Sequence, residues 1–217
     1  MFEPIESVLP LLEKEGYKVQ DPWEIVDIFE KKLANFAGSK YAVSVDNCTD
    51  GMFLCLKYLD FKGEITIPCK TWLSVPGMIK HAGCSVKFED IEWSGVYQLK
   101  PTLVYDGATR FTKNMYIPGS YQCVSFHHRK RLKIGKGGMI FTDDKDAYKW
   151  LKIARYEGRD LNVPYENDDH KILGWNMYMT PEQAARGIIL FDEIQQNNED
   201  TGGSWAYKDL SVYDIFK

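Results

Sequence analysis

The stretch Tyr41-Ala-Val-Ser-Val-Asp-Asn-Cys-Thr-Asp-Gly51 carries an apolar run into a helical one across a short polar turn. Tyr41 to Val45 reads as a buried strand, and Thr49 to Leu59 as a helix with Met52, Cys55, Leu56 and Leu59 on one face. Before it, Trp23, Val26, Phe29, Leu33 and Phe36 recur at helical spacing, with Asp21-Pro22 as a start signal and Gly38 as a stop. After it, a strand over Glu64 to Pro68, a helix over Leu73 to Ala82 and a strand over Cys84 to Phe88 follow with short connections. Strand and helix in alternation are the pattern of βαβ units and predict an α/β fold with a mainly parallel sheet. Further strands are expected over Thr102 to Tyr105, Cys123 to Phe126 and Gly138 to Thr142, the last reached through Gly135-Lys-Gly-Gly138. Asp146 to Glu157 reads as a helix and Asp160 to Leu173 as a long polar loop. Thr180-Pro-Glu-Gln183 opens a helix carrying Ala184, Ile188, Phe191 and Ile194, with Thr as cap, Pro at the first position and Gln three residues after the cap. Gln195 to Gly203 looks like an exposed linker, and Trp205 to Lys217 is too short for a domain.

The chain has 217 residues, room for one large domain or two small ones. Its 27 Lys and Arg against 31 Asp and Glu leave a net charge of −4, which disfavours a general nucleic-acid binder. No apolar run approaches the roughly 20 residues of a membrane span. Met1 to Pro10 lacks the basic start and apolar core of a secretory signal. The five cysteines are odd in number and without CxxC spacing, so free thiols in a reducing cytoplasm are expected. No His, Asp and Glu set at ligand spacing points to a metal.

Four features at strand ends bear on chemistry. Asp46-Asn-Cys-Thr-Asp-Gly51 opens a helix whose N–H groups, with the Thr49 hydroxyl, suit an anion, although a plain cap by Thr49 or Asn47 is the alternative. Trp72 follows the second strand and faces either a ligand or the core. Asp106, before Gly107, is a turn residue or a carboxylate that holds a protonated ring nitrogen. In Ser125-Phe-His-His-Arg-Lys130-Arg-Leu-Lys-Ile-Gly135-Lys-Gly-Gly138 the basic run is a surface turn, a nucleic-acid patch, or the setting of a Schiff-base lysine crowded by other cations.

In order and spacing these pieces resemble the DegT/DnrJ/EryC1/StrS family of sugar aminotransferases. The matching segments are Phe29-Glu30, Gly38-Ser-Lys-Tyr-Ala-Val43, Asn47-Cys-Thr49, Pro68-Cys-Lys-Thr-Trp72, Asp106-Gly-Ala108, Ser125 to Lys130, Gly135 to Gly138, and Gly174-Trp-Asn176 with Ala184-Ala185. They span about residues 22 to 195. The resemblance implies a three-layer α/β/α fold with a mainly parallel mixed sheet, the large domain of fold type I. It implies a large domain over residues 1–195 that binds pyridoxal 5′-phosphate (PLP), with residues 196–217 as a short tail in place of a small C-terminal domain.

The same resemblance assigns roles. Lys130 would form the Schiff base and move the proton, and Asp106 would pair with the ring nitrogen. Trp72 would stack on the ring. Cys48 through its backbone, Thr49 and Ser125 would hold the phosphate. Asn176 would reach the cofactor of a neighbouring subunit, which implies a homodimer with shared sites. His127, His128, Arg129 and Arg131 are candidate substrate contacts, with one of the two histidines turned inward by strand alternation. Three positions depart from the family pattern: Thr109 stands for Gln, Lys136 for Glu and Tyr178 for Arg. The activity implied is transfer of an amino group, from glutamate or glutamine, to a nucleotide-linked keto sugar, in the cytoplasm. The alternative is a PLP-binding or dimerisation partner of a full-length enzyme that has lost turnover. Lys130 argues against the dehydratase branch, which carries His at that position.

Overall fold

Asp21 accepts a hydrogen bond from the Trp23 N–H and starts helix α1 (Pro22–Ala37), and Gly38 ends it at φ +85°. The computed structural model describes residues 10, 12–14, 16–19 and 21–216. The reading of residues 1–9 as carrying no leader lies outside them. The chain continues through β1 (Tyr41–Val45), α2 (Cys48–Tyr58), β2 (Glu64–Pro68), α3 (Ser74–His81) and β3 (Ser85–Glu89). Then come β4 (Tyr97–Gln98), β5 (Val104–Asp106), β6 (Tyr121–Ser125), β7 (Gly138–Thr142), α4 (Lys145–Ala154) and α5 (Pro181–Phe191). Asn47 caps α2, Asp144 caps α4, and Thr180 with Gln183 forms the expected capping box at α5. Among the described residues no helix is long and apolar enough to cross a membrane.

Side chains alternate across the sheet and feed two cores. Ala42, Val124, Phe126, Met139 and Phe141 pack toward α1 and α5. Val43, Val45, Cys123 and Ile140 pack toward α2, α3 and α4. This is the α/β/α arrangement expected. All five cysteines are buried and unbridged.

The sheet is mixed, and its balance of directions differs from a mainly parallel one. Five strands lie in the order β1-β7-β6-β5-β4, and β2 and β3 pair separately. Only β5 with β6 and β2 with β3 run parallel, while β1–β7, β6–β7 and β4–β5 are antiparallel. The reason lies in the connections. No helix intervenes between β6 and β7, so β7 returns beside β6 and inserts between β6 and β1. It contributes two antiparallel pairings, yet β1, β5 and β6 themselves share one direction. Thr66 exchanges backbone hydrogen bonds with Lys100 beyond β4 in antiparallel register, so β2 and β3 join that direction as well. Beta4 carries only two residues and shows no periodicity in the sequence.

A buried ion cluster ties α1, β1 and α4 together. Glu30 accepts from the Ser44 N–H at 2.8 Å and pairs with Arg155, and Lys152 reaches its other oxygen at 2.9 Å. Burial alone would raise the Glu30 carboxyl. The Arg155 and Lys152 charges and the Ser44 N–H outweigh burial and hold it at about 2, against 4.5 ordinarily. A carboxyl lowered in the folded state stabilises above its unfolded value, and that stability is lost as pH falls toward the folded value. Denaturant unfolding between pH 4.5 and 2 is therefore expected to show a steeper loss for wild type than for Glu30→Gln. At neutral pH the variant is expected to be less stable by about 3 kcal/mol. Parallel acid limbs would contradict this assignment.

Candidate active site

The strands of common direction end at one edge, and their C-terminal ends carry the polar residues. Asn47 follows β1, Thr71 and Trp72 follow β2, Asp106 ends β5, and Ser125 ends β6. A cavity of about 460 Å³ opens there. It gathers most of the residues singled out in the sequence: Cys48, Thr49, Trp72, Asp106, Ser125, His127, Arg129 and Lys130.

Asp106 lies at the cavity floor and is 5% exposed. The Ala108 N–H donates to its Oδ1 at 2.9 Å, the Tyr97 hydroxyl to its Oδ2 at 2.8 Å, and the Cys48 thiol approaches at 3.8 Å. Burial pushes its carboxyl up, opposed by those donors and by the Lys130 ammonium. Thr71 steadies Tyr97 through a 2.5 Å contact between hydroxyls. Burial first, and then the charge of Asp106, push the Cys48 thiol well up, so it sits there as a neutral donor.

Lys130 stands in the turn after β6, its N–H donating to the His127 carbonyl at 2.8 Å. Its ammonium has no hydrogen-bond or ion-pair partner among the described residues. The N-terminus of α2 supplies the opposite wall. Its N-cap is spent within the protein, because Asn47 Oδ1 accepts from the Asp50 N–H. Thr49 adds a hydroxyl 2.7 Å from that of Ser74. Unsatisfied N–H groups at such an end favour an anion.

His128, Arg131 and Asn176 do not line the cavity. The turn closed by Lys130 and His127 ends strand alternation, so His127 faces the cavity while His128 lies against its ring at 4.0 Å between centroids. Burial, with His128 and the cations of Lys130 and Arg129 close by, holds His127 below its ordinary range. Arg131 reaches away and donates to the Glu199 carbonyl at 2.9 Å. Asn176 is exposed and donates to Glu157 at 2.7 Å.

Sequence reasoning missed one wall altogether. The stretch read as an exposed linker turns inward from Asp200, and Thr201, Gly202, Ala206 and Tyr207 line the cavity. Thr109 Oγ1 donates to the Gly202 carbonyl at 2.9 Å, and the Thr109 carbonyl accepts from the Thr201 N–H at 2.8 Å. Arg110 holds Asp200 in a fork, Nε to Oδ1 at 3.0 Å and Nη2 to Oδ2 at 2.8 Å. Ser94 donates to the same carboxylate at 3.0 Å. Trp93 stacks on Tyr207 beside it, with Tyr97 tilted against the Trp93 ring. The signal available was Arg110 with Asp200, and a separation of that length hides it.

The model of the DegT/DnrJ/EryC1/StrS aminotransferase family matches residues 14–121 and 107–207. The spore coat polysaccharide biosynthesis protein SpsC of Bacillus subtilis is 25% identical over 94% of this chain and 65% of its own length. The GDP-perosamine synthase of Caulobacter vibrioides is 23% identical over 78% of this chain and 57% of its own. The chain thus spans less than two thirds of the length of these relatives. The SpsC alignment extends over 266 positions, more than the chain's 217 residues, so part of the difference lies inside the matched region. Among solved structures, a DegT DnrJ EryC1 StrS aminotransferase from Brucella abortus superposes with a TM-score of 0.68 at 18% identity, covering 86% of this chain and 62% of that one. A GDP-4-keto-6-deoxymannose-3-dehydratase with a trapped PLP-glutamate geminal diamine gives 0.68 at 18% identity, covering 87% and 65%.

Thr109→Val removes the hydroxyl that secures the inward segment. It is expected to cost about 1 kcal/mol and to speed proteolysis near residues 195–203, read by mass spectrometry of the fragments. An unchanged cleavage rate would show that Thr109 does not hold the segment.

Proposed function

The chain belongs to the DegT/DnrJ/EryC1/StrS aminotransferase family, and we propose that it is a PLP-dependent enzyme converting a nucleotide-linked keto sugar to an amino sugar. The observation that carries this reading is the meeting of Lys130, Asp106 and the N-terminus of α2 in one cavity. The family is PLP-dependent, and the residues present suit that cofactor. A cavity of about 460 Å³ falls in the range of small-ligand sites, roughly 300–1,000 Å³. Lys130 offers an amine that no acidic side chain ties down among the described residues. Asp106 offers a buried acceptor for a protonated ring nitrogen. Thr49, Ser125 and the backbone N–H of Cys48 would receive a phosphate, and Trp72 would lie on the ring.

Bound there, PLP would supply an electron sink that lets the carbon beside an amine nitrogen give up a proton. The rest is the work of the protein. Lys130 Nζ is the cavity's base, placed to take a proton from such a carbon and return it elsewhere. Asp106 is held in one orientation by the Ala108 N–H and the Tyr97 hydroxyl, so it meets a cation without reorganising. Arg129 borders the same cavity and favours an anionic substrate such as a sugar diphosphate, with His127 beside it as a further polar contact.

The names of the relatives support a keto sugar as substrate, since two of them are GDP-perosamine synthases. Glutamate or glutamine is the proposed donor. Exposed Asn176 is available to a second copy of the chain, which fits a cytoplasmic homodimer with shared sites. In this reading residues 1–195 form the cofactor-binding unit and residues 196–217 complete its cavity.

Absorbance spectra with added PLP test the core of the proposal. Wild type is expected to develop a visible band that borohydride fixes covalently at Lys130, and Lys130→Ala to develop none. Formation of 2-oxoglutarate from glutamate and GDP-4-keto-6-deoxymannose would then support the substrate class. Equal spectra for the two proteins would refute the role given to Lys130.

A further inference from the structure

Tyr207 is the cavity-lining residue at the end of the segment that Thr109 and Arg110 hold in place. Its ring is fixed on two sides. It stacks on Trp93 with centroids 5.7 Å apart and planes at 17°, and the edge of Trp72 meets it at 6.3 Å. Trp93 is itself anchored, its indole N–H donating to the Lys70 carbonyl at 2.9 Å.

The hydroxyl of Tyr207 is different from the polar groups around it. Tyr97 spends its hydroxyl on Asp106, and Thr71 spends its own on Tyr97. Thr109 donates to Gly202 and lies 3.2 Å from the Gly95 carbonyl. The Tyr207 hydroxyl makes no hydrogen bond among the described residues. Burial, followed by the nearby Asp106 carboxylate, pushes the phenol above its ordinary range and keeps it a donor. A half-buried donor on a fixed ring, in a cavity shared with Asp106 and Lys130, is placed for a ligand rather than for the protein.

We propose that Tyr207 is a cofactor-contacting residue, carried into the site by the C-terminal segment of the same chain and donating its hydroxyl to an oxygen of bound PLP. This inference rests on the PLP reading above. It gives the clip between Arg110 and Asp200 a function beyond stability, because the clip places that donor.

The test titrates the full chain with PLP and reads affinity from the visible band. Tyr207→Phe keeps the stacking ring and removes only the hydroxyl, and is expected to weaken PLP binding about five- to tenfold with an unchanged thermal midpoint. Arg110→Ala is expected to lose a similar factor, and Tyr207→Phe in that background to add little. A Tyr207→Phe titration that overlays wild type overturns the inference while leaving Lys130 its role. A loss of affinity matched by a fall in thermal midpoint also overturns it, since the hydroxyl would then serve the fold. If wild type shows no band, the PLP reading fails and this inference fails with it.

Discussion

Gly138 begins β7 at a point where an added Cβ would lie 2.6 Å from the Asn47 carbonyl carbon and 2.7 Å from the Cys48 nitrogen. Only a residue without a side chain permits that approach, and the geometry of the site follows from it. The backbone of β7 comes directly under the turn that starts α2, and this brings the helix N-terminus down onto the sheet edge. Gly137, at φ +141°, leads into it where a Cβ would come within 2.7 Å of the Met179 side chain. The loop that carries Lys130 must close back at these two glycines. Thr49 and Lys130 therefore border the same cavity although a long stretch of chain separates them. A side chain at Gly138 would push β7 off the turn that starts α2.

Charge at this junction is balanced locally. Asp46 and Asp50 stand at an end of α2 that is otherwise suited to an anion. Burial, with Asp46 close by, pushes the Asp50 carboxyl up, and Asn47 Nδ2 donates to it at 2.6 Å. Lys136 pairs with Asp46 at 2.8 Å. The Lys136 pair offsets the charge of Asp46, while Arg129 and Lys130 line the cavity itself. The net charge of the whole chain is −4, so a site for anions has to be built by local placement.

The strand and helix order of the first hundred residues was legible because each element carries its own period. Six ordered expectations, from the Trp23 helix to the Cys84 strand, fall within one or two residues of the observed elements. Asp106 and Ser125 were legible as residues at strand ends, where an α/β sheet concentrates its polar groups, and Lys130 through its place five residues after Ser125 in the family resemblance. The inward turn at Asp200 was not. Gln195 to Gly203 is polar and reads as solvated, and its conformation depends on an ion pair with Arg110, a residue 90 positions earlier. The direction of β7 was hidden for a similar reason. Periodicity marks a strand but says nothing about which neighbour it joins, and here the helix-free connection from β6 decides that.

The three departures from the family pattern have a common physical meaning. Thr109 latches the inward segment, Lys136 neutralises Asp46, and Tyr178 packs with Trp23 and Tyr156, the latter ring at 4.6 Å. Each of these side chains is committed to a partner within the chain. Thr109 shows the consequence most directly. Its short side chain cannot reach far into the cavity, and both its hydroxyl and its carbonyl are used on residues 201 and 202. The polar contact that a longer side chain would offer from that position has to come from somewhere else. The segment that Thr109 secures brings such a group with it, in the unpaired hydroxyl of Tyr207. The short side chain of Thr109 and the donor on the tethered segment thus belong to one local arrangement, and the cavity is completed by the chain folding back upon itself.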